Sequence, residues 1–316
     1  MFLLWMILIL MLVTLTASFI CYRIVFYATP SKPLGPEEYD IPDGAIYEPH
    51  REQMTLWQKQ MRTLPRRTFT ITSHDGLRLV GHYYEYAPGA VTELMFHGYR
   101  GSAERDLCGG VQRAFALGRN VLIVDQRTSC RSEGHTISFG IHEHQDCLAW
   151  VDLAIRELGP DVKLILTGIS MGASTVLMAA GRELPKNVVG VLADCGYSSA
   201  KEIICKCARD MKLPPKLVYP FIRLGAQLFG NFDPDAYSPL EAMKTCRLPV
   251  IFFHGEADDF VPCDMSKAIY DVCTAPKRLV TTPGAGHGLC YIIDPDTYLK
   301  EVADFFTENG VETVVV

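Results

Sequence analysis

The stretch Leu164-Ile165-Leu166-Thr167-Gly168-Ile169-Ser170-Met171-Gly172-Ala173 constrains this chain more than any other. An apolar run that reads as a buried strand feeds straight into Gly-x-Ser-x-Gly, and the helix-forming Ala173–Ala180 follows. A strand that turns so abruptly into a helix holds its serine at a sharp, strained corner with the hydroxyl exposed. Gly168 and Gly172, two residues to either side, keep side chains clear of the neighbouring strand and helix. The helix start directs its free N–H groups at negative charge that develops beside the serine. Gly-x-Ser-x-Gly arises often by chance, so its weight comes from this strand–helix setting and from partners elsewhere in the chain.

The chain has 316 residues, 48% of them hydrophobic and 21% charged. That is enough for one sizeable α/β core. A net charge of -6 and no Lys/Arg run leave no basic footprint for nucleic acid. The 11 cysteines are odd in number and contain no Cys-x-x-Cys pair, which argues against a disulfide scaffold or a zinc site. They read as small buried hydrophobes in a reducing setting.

Phe2 to Ile20 carries no charge and is long enough to cross a bilayer as a helix. No basic residue precedes it and Ala17-Ser18-Phe19 is a poor cleavage signal, so it reads as an uncleaved anchor over residues 1–22. Arg23 and Lys32 follow directly, and on those two residues the charge rule puts the rest of the chain on the cytoplasmic side. Residues 23–66 read as a connecting segment: a stiff Pro-rich linker from Pro30 to Pro36, then a surface helix from Pro49 to Leu64.

From residue 67 to 316 a single α/β domain is expected. Thr68–Thr72 and Leu77–Tyr84 alternate across Asp75-Gly76, a hairpin signal. Strands at Glu93–Phe96, Val121–Asp125, Val162–Thr167, Val188–Ala193, Pro249–His254 and Arg278–Thr282 then alternate with helical stretches. This pattern predicts a mostly parallel central sheet with helices on both faces.

Functional residues of such sheets gather at the C-terminal ends of strands. The later strand ends carry His254-Gly255-Glu256-Ala257-Asp258-Asp259 and Gly284-Ala285-Gly286-His287-Gly288. The order Ser170, then an aspartate, then His287 is the one expected of this architecture. Asp258 is favoured as the acid over Asp259 and over Asp194, which ends the preceding strand. A carboxylate there would fix the imidazole tautomer and stabilise imidazolium. The two N–H donors for an oxyanion would be those of Met171 and of Tyr99, in His97-Gly98-Tyr99-Arg100-Gly101.

On His97–Gly101, Asp125-Gln126-Arg127, Gly168–Gly172, His254-Gly255-x-x-Asp258-x-x-Val261-Pro262 and Gly286-His287-Gly288, the chain from about Thr68 onward resembles the α/β-hydrolase superfamily. It is most similar to bacterial serine hydrolases with an N-terminal membrane anchor. The resemblance implies the α/β-hydrolase fold and marks Asp258 as the acid. One departure is that Thr128 and Cys130 replace glycines of the Gly-x-Gly-x-Ser that follows Asp-x-Arg in many relatives. Positive φ at those positions would strain that rim.

His142-Glu143-His144-Gln145-Asp146 invites a metal reading, but only His142 and Asp146 share a helix face and nothing completes a ligand set. No metal and no cofactor are implied, and there is no nucleotide-binding Gly-rich or Walker sequence. About residues 196–248, more chain joins two strands than a crossover helix needs. Leu217, Phe221, Leu224 and Leu228 at helical spacing read there as a small helical cap lining an apolar acyl pocket.

The expected function is a serine hydrolase cleaving an ester or thioester with a hydrophobic acyl group, on a small-molecule or lipid-like substrate. A peptidase of the acylaminoacyl or dipeptidyl type shares the fold and triad. A non-catalytic binding protein on the same fold would be expected to have lost part of this set.

Overall fold

The computed structural model describes residues 1–30 and 32–311; Ser31 of the expected linker and residues 312–316, at the end of the expected domain, lie outside the described residues. The chain opens with α1 (Phe2–Val25) and α2 (Arg51–Thr63), followed by β1 (Arg67–Thr72), β2 (Arg78–Tyr84) and β3 (Thr92–Phe96). Next come α3 (Ala103–Ala116), β4 (Asn120–Asp125), α4 (Glu143–Leu158), β5 (Leu164–Ile169), α5 (Met171–Ala180) and β6 (Val188–Asp194). Three helices, α6 (Ala200–Asp210), α7 (Pro215–Phe229) and α8 (Pro239–Met243), separate β6 from β7 (Val250–Gly255). The chain closes with α9 (Cys263–Val272), β8 (Lys277–Thr282), α10 (Cys290–Ile293) and α11 (Pro295–Glu308).

Among the described residues, eight strands form one sheet in the order β1-β2-β4-β3-β5-β6-β7-β8. The pairs β1–β2 and β2–β4 are antiparallel and every later pair is parallel. The inner strands are buried on both faces, which is why their sequences are largely apolar, whereas β1 alternates exposed and buried residues. Residues of opposite parity along a strand serve opposite layers. Leu94, Phe96 and Phe252 pack with Trp150 of α4, Leu177 of α5 and Ile269 of α9. Met95 packs under α2 and α3, and Ile251 and Phe253 under α10 and α11. The strand order reverses at β3, which lies between β4 and β5, so a crevice opens beyond the C-terminal ends of β3 and β5.

The N-terminal helix is less separate from the domain than its apolar sequence suggests. It runs past residue 22 to Val25, and the chain behind it enters the core. Phe26 is fully buried, its ring 5.8 Å from that of Phe139 and 5.1 Å from that of Phe232. Backbone bonds from Ala28 to His135 and from Ile137 to Phe26 stitch this segment to the domain, and the Tyr22 hydroxyl meets Thr136 Oγ1 at 2.7 Å. The expected surface helix is likewise half sunk, with Met61 buried against α3. Before Tyr22, α1 is almost wholly exposed and apolar, a candidate membrane span.

Because Phe26 is a core residue, Phe26→Ala should cost about 3–5 kcal/mol in urea unfolding of the detergent-solubilised full chain. An unchanged midpoint would mean that this segment is only a tether.

Candidate active site

Ser170 sits between β5 and α5 at φ 56° and ψ -119°, a region a non-glycine residue occupies only when its surroundings force it. The force comes from crowding. A Cβ on Gly168 would lie 2.2 Å from the Gly172 carbonyl carbon, and one on Gly172 would lie 2.0 Å from the Phe96 oxygen. The Ser170 N–H donates to the Asp194 carbonyl at 2.8 Å, pinning the corner to β6.

His287 arrives on the loop after β8. Its Nε2 is 2.9 Å from Ser170 Oγ and its Nδ1 is 2.7 Å from Asp258 Oδ2. Asp258 Oδ1 accepts the backbone N–H groups of Phe260 at 3.0 Å and Val261 at 2.8 Å. His254 Nε2 lies 3.3 Å from Asp258 Oδ2 and 2.8 Å from the Val261 carbonyl oxygen. Burial alone would raise the Asp258 carboxyl, but the hydrogen bonds of His254, His287 and the Val261 N–H outweigh it and hold it well below the usual carboxylate range. Asp258 is therefore an anion facing the imidazole.

The alternative acids are engaged elsewhere or exposed. Asp194 accepts the Tyr298 hydroxyl at 3.0 Å, while Asp259 is exposed at the cavity rim. Cys195 is buried at φ 48° with Sγ 4.0 Å from His287 Nε2, and burial raises its thiol well above the ordinary range.

Met171 is the first residue of α5, so its N–H has no acceptor within the helix. Tyr99 lies across the crevice in a turn closed by Gly101 N–H to the Gly98 carbonyl. Gly98 faces the serine closely: a Cβ there would stand 3.5 Å from Ser170 Cβ and 3.2 Å from Asp106 Oδ2, which accepts the Gly98 N–H at 3.0 Å. Arg100 holds φ 53° without being glycine. Its guanidinium donates to the Ile24 and Tyr27 carbonyls at 2.9 and 3.0 Å, and the Tyr99 hydroxyl donates to the Val25 carbonyl at 2.7 Å. The end of α1 thus braces this loop, a relation invisible in the motif.

The other resembling motifs have structural roles here. His97 Nε2 accepts the Gln126 N–H at 3.0 Å, and burial lowers the imidazole so that it stays neutral. Arg127 clamps Asp146 through two bonds of 2.8 Å and also reaches Asp75. Glu143 accepts the Ser138 and Gly140 N–H groups at 2.8 Å. The acidic members of the His142–Asp146 run are thus loop clamps. Thr128 and Cys130 do adopt positive φ, 71° and 45°, so the strain expected of that rim is present.

A cavity of about 750 Å³ opens beside Ser170. Its apolar walls include Ile46, Met54, Trp57, Met95, Tyr291 and Ile292. None of residues 196–248 lines it, which corrects the expectation that the cap forms the pocket. The walls come instead from the segment before β1 and from α3 and α10. The Tyr47 hydroxyl donates to the His287 carbonyl at 3.0 Å, so this segment also touches the histidine loop. Nothing in its irregular sequence signals that position. The inner wall is polar and holds Arg113, Thr167, Asp194 and Tyr298.

Asp194 is the unusual member of that wall. Its Oδ1 has no hydrogen-bond partner among the described residues, and burial pushes its carboxyl up to about 6 against the opposing pull of Tyr298, His254 and Arg113. A carboxyl raised in the folded state binds its proton more tightly there than when unfolded. Stability therefore falls as pH rises from about 4 to 6, by roughly 3 kcal/mol in all. Asp194→Asn should flatten that slope in urea unfolding followed across this range. Equal slopes in both chains would show that Asp194 does not titrate there.

Residues 94–215 match the family model described as the alpha/beta hydrolase fold. YqkD of Bacillus subtilis is 30% identical over 190 residues, 60% of this chain and 62% of that protein, so the match spans about three-fifths of either length. Among solved structures, the Pyrococcus furiosus esterase Pf2001 superposes with a TM-score of 0.66 at 19% identity, covering 89% of this chain and 98% of the esterase. An acylaminoacyl peptidase of Pyrococcus horikoshii reaches a TM-score of 0.58 at 19% identity, over 79% of this chain and 43% of the peptidase. The sheet order, the strained serine corner and the match over residues 94–215 together show the alpha/beta hydrolase fold in this chain.

Proposed function

We propose that this chain is a membrane-anchored serine hydrolase that cleaves a carboxylic ester or thioester with a hydrophobic acyl group. The observation that carries the reading is the unbroken hydrogen-bond line from Ser170 Oγ through His287 to Asp258, set at the mouth of a largely apolar cavity. Ser170 Oγ attacks the carbonyl carbon while His287 Nε2 takes its proton, and Asp258 holds the other ring N–H and stabilises the imidazolium. The N–H groups of Met171 and Tyr99 receive the oxyanion; losing one such donor typically costs about 3–4 kcal/mol of barrier lowering. As the tetrahedral adduct collapses, His287 returns the proton to the leaving alcohol or thiol. A water then loses its proton to His287, attacks the acyl-enzyme and releases the acid, restoring Ser170.

The cavity volume suits a small ligand or an acyl chain, and its apolar walls favour hydrocarbon. The apolar, exposed first half of α1 supports the anchor, with Arg23 and Lys32 favouring a cytoplasmic domain. The likeness to an acylaminoacyl peptidase supports a second reading, peptide-bond cleavage, although more than half of that protein's chain lies outside the superposition.

The test uses the full chain in detergent with p-nitrophenyl esters of rising acyl length beside aminoacyl p-nitroanilides. Ester turnover is expected, falling about 10⁴-fold in Ser170→Ala and comparably in Asp258→Asn. Preferred anilide cleavage would move the chain to the peptidases. Silence on both, without fluorophosphonate labelling of Ser170, would favour a binding protein. A near-normal Asp258→Asn would remove Asp258 from the triad.

A further inference from the structure

The helix α7 carries an apolar stripe that faces away from the protein. Leu217 and Leu228 are exposed, Leu217 by 67%, and Phe221 and Leu224 between them are only partly covered. The turn from α6 into α7 continues the patch with Met211, 66% exposed, and Leu213. Leucines this exposed and this contiguous need an apolar partner, because soluble surfaces seldom hold such patches.

The structure shows what lies next to them. The helix packed against the other side of α7 is α1. Thr14, Ala17, Ser18, Cys21, Tyr22 and Val25 form its covered stripe, mostly small residues at helical spacing. Gly225 approaches so closely that a Cβ there would stand 2.3 Å from the Ser18 carbonyl oxygen. Small residues on both partners are how helices pack inside lipid. The contacts run in one direction along both helices: Gly225 at Ser18, Phe229 at Phe19 and Tyr22, Phe232 at Phe26. The start of α7 therefore points back along α1 toward its bare apolar half. Arg209, Lys212 and Lys216 are exposed around the same turn, where long basic side chains can reach anionic headgroups while their stems lie in hydrocarbon.

We propose that α7 and the α6–α7 turn are inserted in the lipid leaflet beside α1, making this region a second, interfacial membrane element. The inference rests on the reading of α1 as a membrane anchor. It gives the stripe at Leu217, Phe221, Leu224 and Leu228 a lipid partner in place of the acyl pocket it does not line.

The test is depth-resolved quenching of the full chain reconstituted in vesicles of phosphatidylcholine and phosphatidylglycerol carrying brominated acyl chains. Trp5 reports on α1 in the native chain. In a Trp5→Phe background, Leu217→Trp and Leu228→Trp report on α7, and Lys186→Trp, in the loop before β6, is the aqueous control. Buried Trp150 and cavity-lining Trp57 give a constant baseline. The expected result is that probes at 217 and 228 lose emission by as large a factor as Trp5 while the probe at 186 loses none. Quenching of Trp5 without quenching at 217 or 228 would overturn the proposal and leave the anchor standing, as it would if a second protein copy covered the stripe. Absence of quenching at all positions would overturn the anchor and this proposal with it.

Discussion

Everything at the candidate site depends on one contact, the approach of Gly172 to the carbonyl of Phe96. The first turn of α5 lies so close to the end of β3 that no side chain fits between them. The corner cannot relax, and Ser170 is held at a backbone conformation that costs about 1–3 kcal/mol. The same squeeze sets the first N–H of α5 opposite the loop after β3, so the proposed nucleophile and proposed oxyanion donors are fixed by one packing constraint. Any widening of the gap between β3 and α5 would move all of them together.

A second constraint lies beneath the cavity. Glu93, the second residue of β3, is fully buried and is bonded by Arg113, by Arg119 at 2.8 Å and by the Thr167 hydroxyl at 2.9 Å. Removing charges from water is expensive, and such a cluster stabilises a fold only when its partners are all present. Its value here is geometric. Arg113 and Thr167 also form part of the cavity's inner wall, so the depth of the pocket is set by an ionic group shared between β3, α3 and β5.

Much of this was legible in the sequence, and for physical reasons. Strands buried on both faces are largely apolar, so β3 to β7 announce themselves despite Glu93, and Asp75-Gly76 marks the hairpin at the sheet edge. Ser170 and His287 stand out because glycines flank them where backbone crowds backbone. The pocket walls did not stand out. Residues 42–47 are irregular, and nothing in their composition says that Ile46 and Tyr47 will meet the histidine loop. Leu217, Phe221, Leu224 and Leu228 declare an apolar face, but spacing cannot say whether protein or another phase covers it. The end of α1 was equally opaque, because an apolar helix reads alike whether its neighbours are lipid or the rings of Phe139 and Phe232.

The bracing of the Tyr99–Arg100 turn by the last turn of α1 has a consequence for the order of assembly. Phe26 waits for Phe232, about two hundred residues later in the chain. At roughly 5–20 residues per second of synthesis, that is an interval of some ten to forty seconds. During it, α1 has emerged while its closing ring partner does not yet exist. The loop after β3 is also made before α7 can pack on α1. Backbone bonds to residues 135–137 can hold the end of α1 near that loop before Ser170 is made, so the nascent chain passes through a stage in which α1 is tied at one end and bare along the stripe that α7 will cover.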